Sequence, residues 1–105
     1  MSVMKRSGEG VRRVEDEIRA EKAATLGRAG ERLEAALAAL HDVARALDGT
    51  SDEGRRGELR AAYRSARERA RTARLHLLIQ REAVGLRNHR VVDQQFPEPA
   101  PPPWL

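Results

Sequence analysis

The feature that most constrains this chain is a row of leucines at seven-residue spacing: Leu26, Leu33, Leu40 and Leu47. Three small or branched apolar residues follow the first three leucines at a distance of three: Ala29, Ala36 and Val43. On a helix, positions three and four apart share one face, so the pattern predicts a long first helix with an apolar seam.

A second seam follows, with alternating steps of four and three: Leu59, Tyr63, Ala66, Ala70, Ala73, Leu77, Gln80 and Val84. Between the seams, Asp48-Gly49 is a helix stop, and Thr50 with Glu53 has capping-box spacing. A short connection makes neighbouring helices antiparallel. The sequence therefore predicts an all-α fold, an antiparallel two-helix hairpin over about 11–48 and 52–92. We expect a flexible N-terminal arm over 1–10, a hairpin domain over 11–95 and a Pro-rich tail over 96–105.

A further apolar face lies off the second seam, at Leu75, Leu78, Ile79 and Leu86. So small a core usually needs a disulfide, a metal or a partner chain, and this chain has no cysteine. We therefore predict that two copies bury this face in a four-helix bundle. Alternatively, the tail folds back over it.

The tail reads PEPAPPPWL and favours polyproline II. We expect Phe96 and Trp104 to pack on the bundle. The alternatives are a free linear motif for another protein and a disordered segment.

The net charge is +4, and it rests on 18 arginines against 2 lysines. Six arginines lie on the outer face of the second helix: Arg60, Arg64, Arg67, Arg71, Arg74 and Arg81. Such a row is an electrostatic footprint for nucleic acid, or a solvated face neutralised by the acids of the first helix. Because no aromatic residues interleave with it for base stacking, the second interpretation is favoured.

No secretory signal and no run of 18 apolar residues is evident, so we expect a soluble, cytoplasmic protein without membrane contact. The three histidines are scattered, no hydroxyl has a plausible base, and no phosphate loop is present. The sequence thus predicts no catalytic residues, no metal and no cofactor, and the chain is not expected to be an enzyme.

Antiparallel pairing brings residues 21–32 close to residues 76–89. Both segments contain glycine inside a predicted helix, at Gly27, Gly30 and Gly85, which suggests a close approach there. The charged residues around them form a candidate cluster: Glu21, Arg28, Arg32, Arg81, Glu82, Arg87 and His89. We expect interhelical ion pairs or, alternatively, a site for an anion or a partner.

The same two segments, EKAATLGRAGERLEAAL and QREAVGLRNH, carry a resemblance. Over residues 14–92 the chain resembles an uncharacterised family of small helical bacterial proteins, with EKA-x-x-LGRAG-x-RLE and QRE-x-x-GLR-x-H motifs. The resemblance implies an all-helical fold and a bacterial source, and it carries no known activity, cofactor or partner. The Pro-rich ending departs from the pattern.

Together these features predict a non-enzymatic, dimeric protein-interaction module. Its partners are a second copy and, beyond that, an unknown protein. The alternative is a nucleic-acid- or anion-binding regulator that uses the arginine surfaces.

Overall fold

A computed structural model describes residues 2–104 of the chain, and describes their side chains from Gly8 onward. It contains three helices, α1 (Ser2–Asp48), α2 (Glu53–Ala83) and α3 (Arg90–Gln95), and no strand within residues 2–104. The molecule is a rod of 78 × 22 × 15 Å. The predicted all-α hairpin is therefore confirmed.

The start of α1 differs from the prediction. The helix begins at Ser2, nine residues before the expected start at Val11, so the segment expected as a flexible arm is helical from residue 2. Gly8 and Gly10 lower helix propensity by about 1 kcal/mol each, but neither removes a backbone hydrogen bond as proline would. The two glycines therefore do not interrupt α1.

The core is the seam between α1 and α2. Leu33 and Leu40 are each 1% exposed, and they pack with buried residues of the α2 seam that include Tyr63, Ala66 and Ala70. Leucines of α1 thus meet mostly small side chains of α2, which lets the two helices approach closely.

The turn between α1 and α2 is stabilised by residues that follow Gly49. The Asp52 carboxylate accepts a hydrogen bond from the backbone N–H of Arg55 at 2.8 Å, so Asp52 caps α2. The Arg56 guanidinium donates to the carbonyls of Leu47 and Thr50, at 2.6 and 3.0 Å. The prediction that Thr50 starts a capping box was wrong. The N-cap lies two residues later, at Asp52, because its carboxylate is the stronger acceptor next to the helix.

The end of α2 also differs from the prediction, since the helix stops at Ala83 rather than near residue 92. Gly85 has a φ of +89°, the N–H of Leu86 donates to the carbonyl of Arg81, and the N–H of Gly85 donates to that of Glu82. This is a Schellman motif, in which the glycine takes the left-handed conformation. It reverses the chain so that α3 packs back on the hairpin through the buried Val92.

The tail continues in the direction of α3 and lies along the hairpin. Phe96 lies over Leu33, Leu37 and Leu40 of α1, and Trp104 lies next to Tyr63. The two rings of Tyr63 and Trp104 meet edge to face with 5.1 Å between centroids. The tail therefore covers one side of the α1–α2 seam, including Leu37.

None of the three helices, over the part of the chain described, offers a stretch both long and apolar enough for a membrane crossing.

Two glycines should respond in opposite ways to alanine. Gly27 is helical and a Cβ there would meet nothing within 4 Å, so Gly27→Ala should raise the free energy of unfolding by about 0.5–1 kcal/mol. Gly85→Ala should lower it by about 1–2 kcal/mol, because alanine is strained at positive φ. Urea unfolding followed by circular dichroism measures both. Equal effects of the two substitutions would contradict the helix end at Gly85.

Candidate functional site

The cluster expected at the open end of the hairpin, the end away from the α1–α2 turn, does not form as one network. Among residues 8–104, no salt bridge joins α1 to α2. On α1, the Thr25 hydroxyl donates to the Glu21 carbonyl at 2.9 Å and accepts from Arg28 at 3.3 Å. The interhelical ion pairs expected between Glu21 or Glu82 and Arg28, Arg81 or Arg87 were therefore wrong. The partners of these side chains lie instead nearby along the chain: Thr25 for Arg28, and the loop residues Asn88 and His89 for Arg81 and Glu82.

The α2 residues of the cluster form a separate local network. Arg81 donates to the Asn88 carbonyl at 2.8 Å and, through Nε, to Nδ1 of His89 at 3.4 Å. Since Nδ1 of His89 accepts, the proton is on Nε2, which donates to the Glu82 carboxylate at 3.0 Å. These bonds span residues 81–89 and fasten the loop behind the Schellman motif. Their geometry is that of a structural clamp.

The remaining two members of the cluster, Arg32 and Arg87, belong to neither group. Arg87 is an exposed residue of the loop. Arg32 is exposed on α1 and lines an open groove with Glu68 and His76 of α2. The structure thus divides the seven predicted residues into an α1 group, an α2 clamp and two exposed arginines.

The glycines of the open end do not mark a close contact within the chain. A Cβ on Gly27, Gly30 or Gly85 would meet no atom within 4 Å. Gly85 is required by its positive φ, and Gly27 and Gly30 have no such requirement. The expectation of close approach was therefore wrong within a single copy.

The arginine row of α2 holds the C-terminal segment. Arg74 forms a salt bridge with Asp93 of α3, and Arg71 contacts Glu98 of the tail at 3.4 Å. The Arg64 guanidinium lies over the Trp104 ring, 5.9 Å from its centroid. The row was expected to be neutralised by acids of α1. Instead it contacts acids and an aromatic ring downstream of α2, because α3 and the tail lie on that side of the helix.

The tail leaves most of the predicted dimer face uncovered. Leu75 is 56% exposed, Ile79 51% and Leu86 44%, whereas Leu78 is half-buried and packs against the core. Three more exposed apolar residues precede the seam on α1: Val11, Val14 and Ile18. With Val91 of α3, these are the exposed large apolar side chains among those described, and none of them falls within residues 19–74, which flank the α1–α2 turn.

Two hollows lie where the tail meets the hairpin, and the larger, about 220 Å³, opens beside Trp104 and is lined by Arg56, Tyr63 and Pro102. The cavity under Phe96, lined by Leu33, Leu37 and Leu40, measures about 20 Å³. That volume is enough for one water molecule and too small for a substrate. Within the described residues, no group of three or more histidine or acidic side chains is arranged to hold a metal ion.

Sequence reasoning missed three contacts: the Arg56 clamp on the turn, the Arg81–His89 clamp on the loop, and the arginine contacts to the tail. A signal for the last was present, since Asp93 and Glu98 flank the apolar Phe96 and mirror the arginine row. No comparable local signal exists for Arg56, whose acceptors are backbone carbonyls.

Comparison with protein-family models, with curated proteins and with solved structures gives no match for this chain. The resemblance to a bacterial helical family stays a prediction that rests on the two motifs.

Proposed function

We propose that this chain is a non-enzymatic protein-interaction module that works as a homodimer held by the apolar surface of its open end. The observation that carries the proposal is the uneven distribution of exposed apolar residues. Leu75, Ile79 and Ile18 are each at least 44% exposed, while every large apolar side chain among residues 19–74, on both sides of the turn, is buried or half-buried. Exposed apolar residues confined to one part of a small protein are typical of a protein–protein interface.

Two further features support an interaction role rather than catalysis. Arg81, Glu82 and His89 of the open end are engaged in local hydrogen bonds that fasten a loop, and the cavity under Phe96 holds no more than one water molecule. Such a molecule offers surfaces rather than an enclosed reaction site.

The alternative of a nucleic-acid- or anion-binding regulator loses its main feature. Arg64, Arg71 and Arg74 of the basic row are occupied by Trp104, Glu98 and Asp93 of the same chain. Binding of phosphates there would first have to displace the tail. We therefore do not extend the proposal to nucleic acid.

The mass in solution tests the proposal. Light scattering between 1 and about 200 µM should give a mass approaching twice 11.7 kDa at the upper concentrations. The pair of substitutions Ile18→Asp and Ile79→Asp places charges on both exposed faces of the open end and should give a folded monomer. The matched control, Ala46→Asp with Ala61→Asp, places the same charges on exposed residues near the turn and should leave the dimer intact. A wild-type chain that stays monomeric over the whole range would overturn the proposal.

A further inference from the structure

The larger hollow between the tail and the hairpin, beside Trp104, has the size of a small-molecule site. Its volume is about 220 Å³, and α1, α2 and the tail all contribute to its walls. An apolar cavity of about 150 Å³ holds one benzene ring, so this hollow accommodates a ligand of about nine or ten non-hydrogen atoms. Because the tail forms part of the walls, the hollow exists only while the tail is docked.

The walls of this hollow are mostly apolar and include two aromatic rings. Leu47 and Tyr63 belong to the buried core, and Pro102 and Trp104 of the tail are half-buried opposite them. The edge-to-face contact between Tyr63 and Trp104, with 5.1 Å between centroids, fixes the orientation of both rings. Walls of this kind favour a planar apolar group, which gains contacts that water does not make.

Arg56 supplies a half-buried cation to the hollow. Its Nη1 donates to the carbonyls of Leu47 and Thr50, so the turn holds the guanidinium in place. Within residues 8–104, Nε and Nη2 donate no hydrogen bond, and no carboxylate forms a salt bridge with Arg56. The N–H groups of Nε and Nη2 lie side by side on one edge of a guanidinium and match the two oxygens of a carboxylate. Arg56 thus carries a preorganised fork of donors for an anion of that shape.

Asp48, the last residue of α1, also lines the hollow and carries the opposite charge. Asp48 is exposed, and water and salt screen an exposed charge. A half-buried cation with fixed donors interacts more strongly with a bound ion. Arg56 therefore determines the sign of the preferred ligand, and Asp48 lowers its affinity.

We propose that this hollow binds a small aromatic carboxylate. The ring of the ligand contacts Tyr63, Pro102 and Trp104, and its carboxylate accepts hydrogen bonds from Nε and Nη2 of Arg56. The site goes beyond the proposed interaction function and does not depend on the homodimer, because the exposed apolar residues of the open end do not line it. Since the tail forms part of the walls, the ligand also stabilises the docked tail.

Titration of the full chain with phenylacetate, followed by the fluorescence of its single tryptophan, tests the site. For a ligand of this size at an open site we expect a Kd of about 0.1–1 mM. Phenylacetamide has the same shape without the charge and should bind at least about tenfold more weakly. Phenethylamine, which is cationic, should bind more weakly still. A phenylacetate titration without saturation up to about 20 mM, or a preference for the amide or the amine, would overturn the assignment.

Filling the hollow from α1 tests the position of the ligand. Ala44 is half-buried and lines the hollow, so Ala44→Leu should weaken phenylacetate binding by at least about tenfold and leave the helix content unchanged. Ala46→Leu is the matched control, since residue 46 is exposed on α1 and does not line the hollow. It should change the Kd by less than about twofold. Equal Kd values for the two variants would place the ligand elsewhere and contradict the proposal.

Two charge substitutions test how the carboxylate is recognised. Arg56→Gln should weaken phenylacetate binding by at least about tenfold and leave phenylacetamide binding within about twofold of wild type. Arg56 also holds the turn, so a second variant decides the question if Arg56→Gln does not fold. Asp48→Asn removes the opposing charge and should strengthen phenylacetate binding by about two- to threefold at low salt, without an effect on phenylacetamide. Weaker phenylacetate binding by Asp48→Asn, or unchanged binding by a folded Arg56→Gln, would overturn the proposed recognition.

Discussion

Leu40→Ala is expected to lower the free energy of unfolding by about 3 kcal/mol. Leu40 is 1% exposed at the centre of the seam, where small residues of α2 and the ring of Phe96 surround it. Removing its isobutyl group loses the transfer free energy and leaves a cavity, because helices fixed by neighbouring leucines cannot close onto it. Urea unfolding monitored by circular dichroism at 222 nm measures the change.

The comparison for Leu40→Ala is Leu26→Ala, the same chemical change near the end of the seam. Leu26 is half-buried beside an open groove, so its truncation should cost about 1 kcal/mol. Similar losses at both positions would show that the centre of the seam is no better packed than its end, and the hairpin core described above would be wrong.

Truncation after Gln95, which removes the tail, is expected to lower the free energy of unfolding by about 2–4 kcal/mol. The loss has two parts. Phe96 and Trp104 leave the core, and the side of the seam that includes Leu37 and Tyr63 becomes exposed to water. The five prolines lower the entropy that the tail loses on docking, so most of its contact energy contributes to stability.

Trp104 provides an internal probe for this docking. Because it is the single tryptophan, its fluorescence reports the tail alone. Emission should shift to longer wavelength in the same urea transition that melts the helices. Trp104→Phe keeps an aromatic ring against Tyr63 and should cost less than Trp104→Ala. A tail that releases at lower urea than the helices, or a truncated chain of unchanged stability, would contradict docking as part of the fold.

The stability measured for the truncated chain also bears on the arginine row. Without the tail, Arg64 and Arg71 lose Trp104 and Glu98 and become exposed cations. Each of these contacts is partly exposed and worth little alone. Their joint effect is to direct the tail along one side of α2 rather than the other, and so to determine which apolar residues stay uncovered.

The contacts of the charged residues at the open end could not have been predicted, because they depend on the residue at which the chain reverses after α2. The sequence placed Arg81, Glu82 and His89 close to Arg28 by extending α2 to residue 92. The Schellman motif at Gly85 turns the chain earlier, and the three side chains then reach one another and Asn88 instead of α1. A glycine in a helical pattern is compatible with a helix interior and with a helix end, and spacing alone does not separate the two.

The sequence by itself determined the hairpin, because Leu at seven-residue intervals and small residues at steps of four and three specify two helical faces that can bury only against each other. Only the tertiary structure decided how far each helix runs, which side of the seam Phe96 and Trp104 cover, and which apolar residues remain in water. Those outcomes depend on competition among several surfaces for one short tail and on the unequal lengths of α1 and α2. Such a competition is settled by the geometry of the assembled chain, which no local pattern encodes.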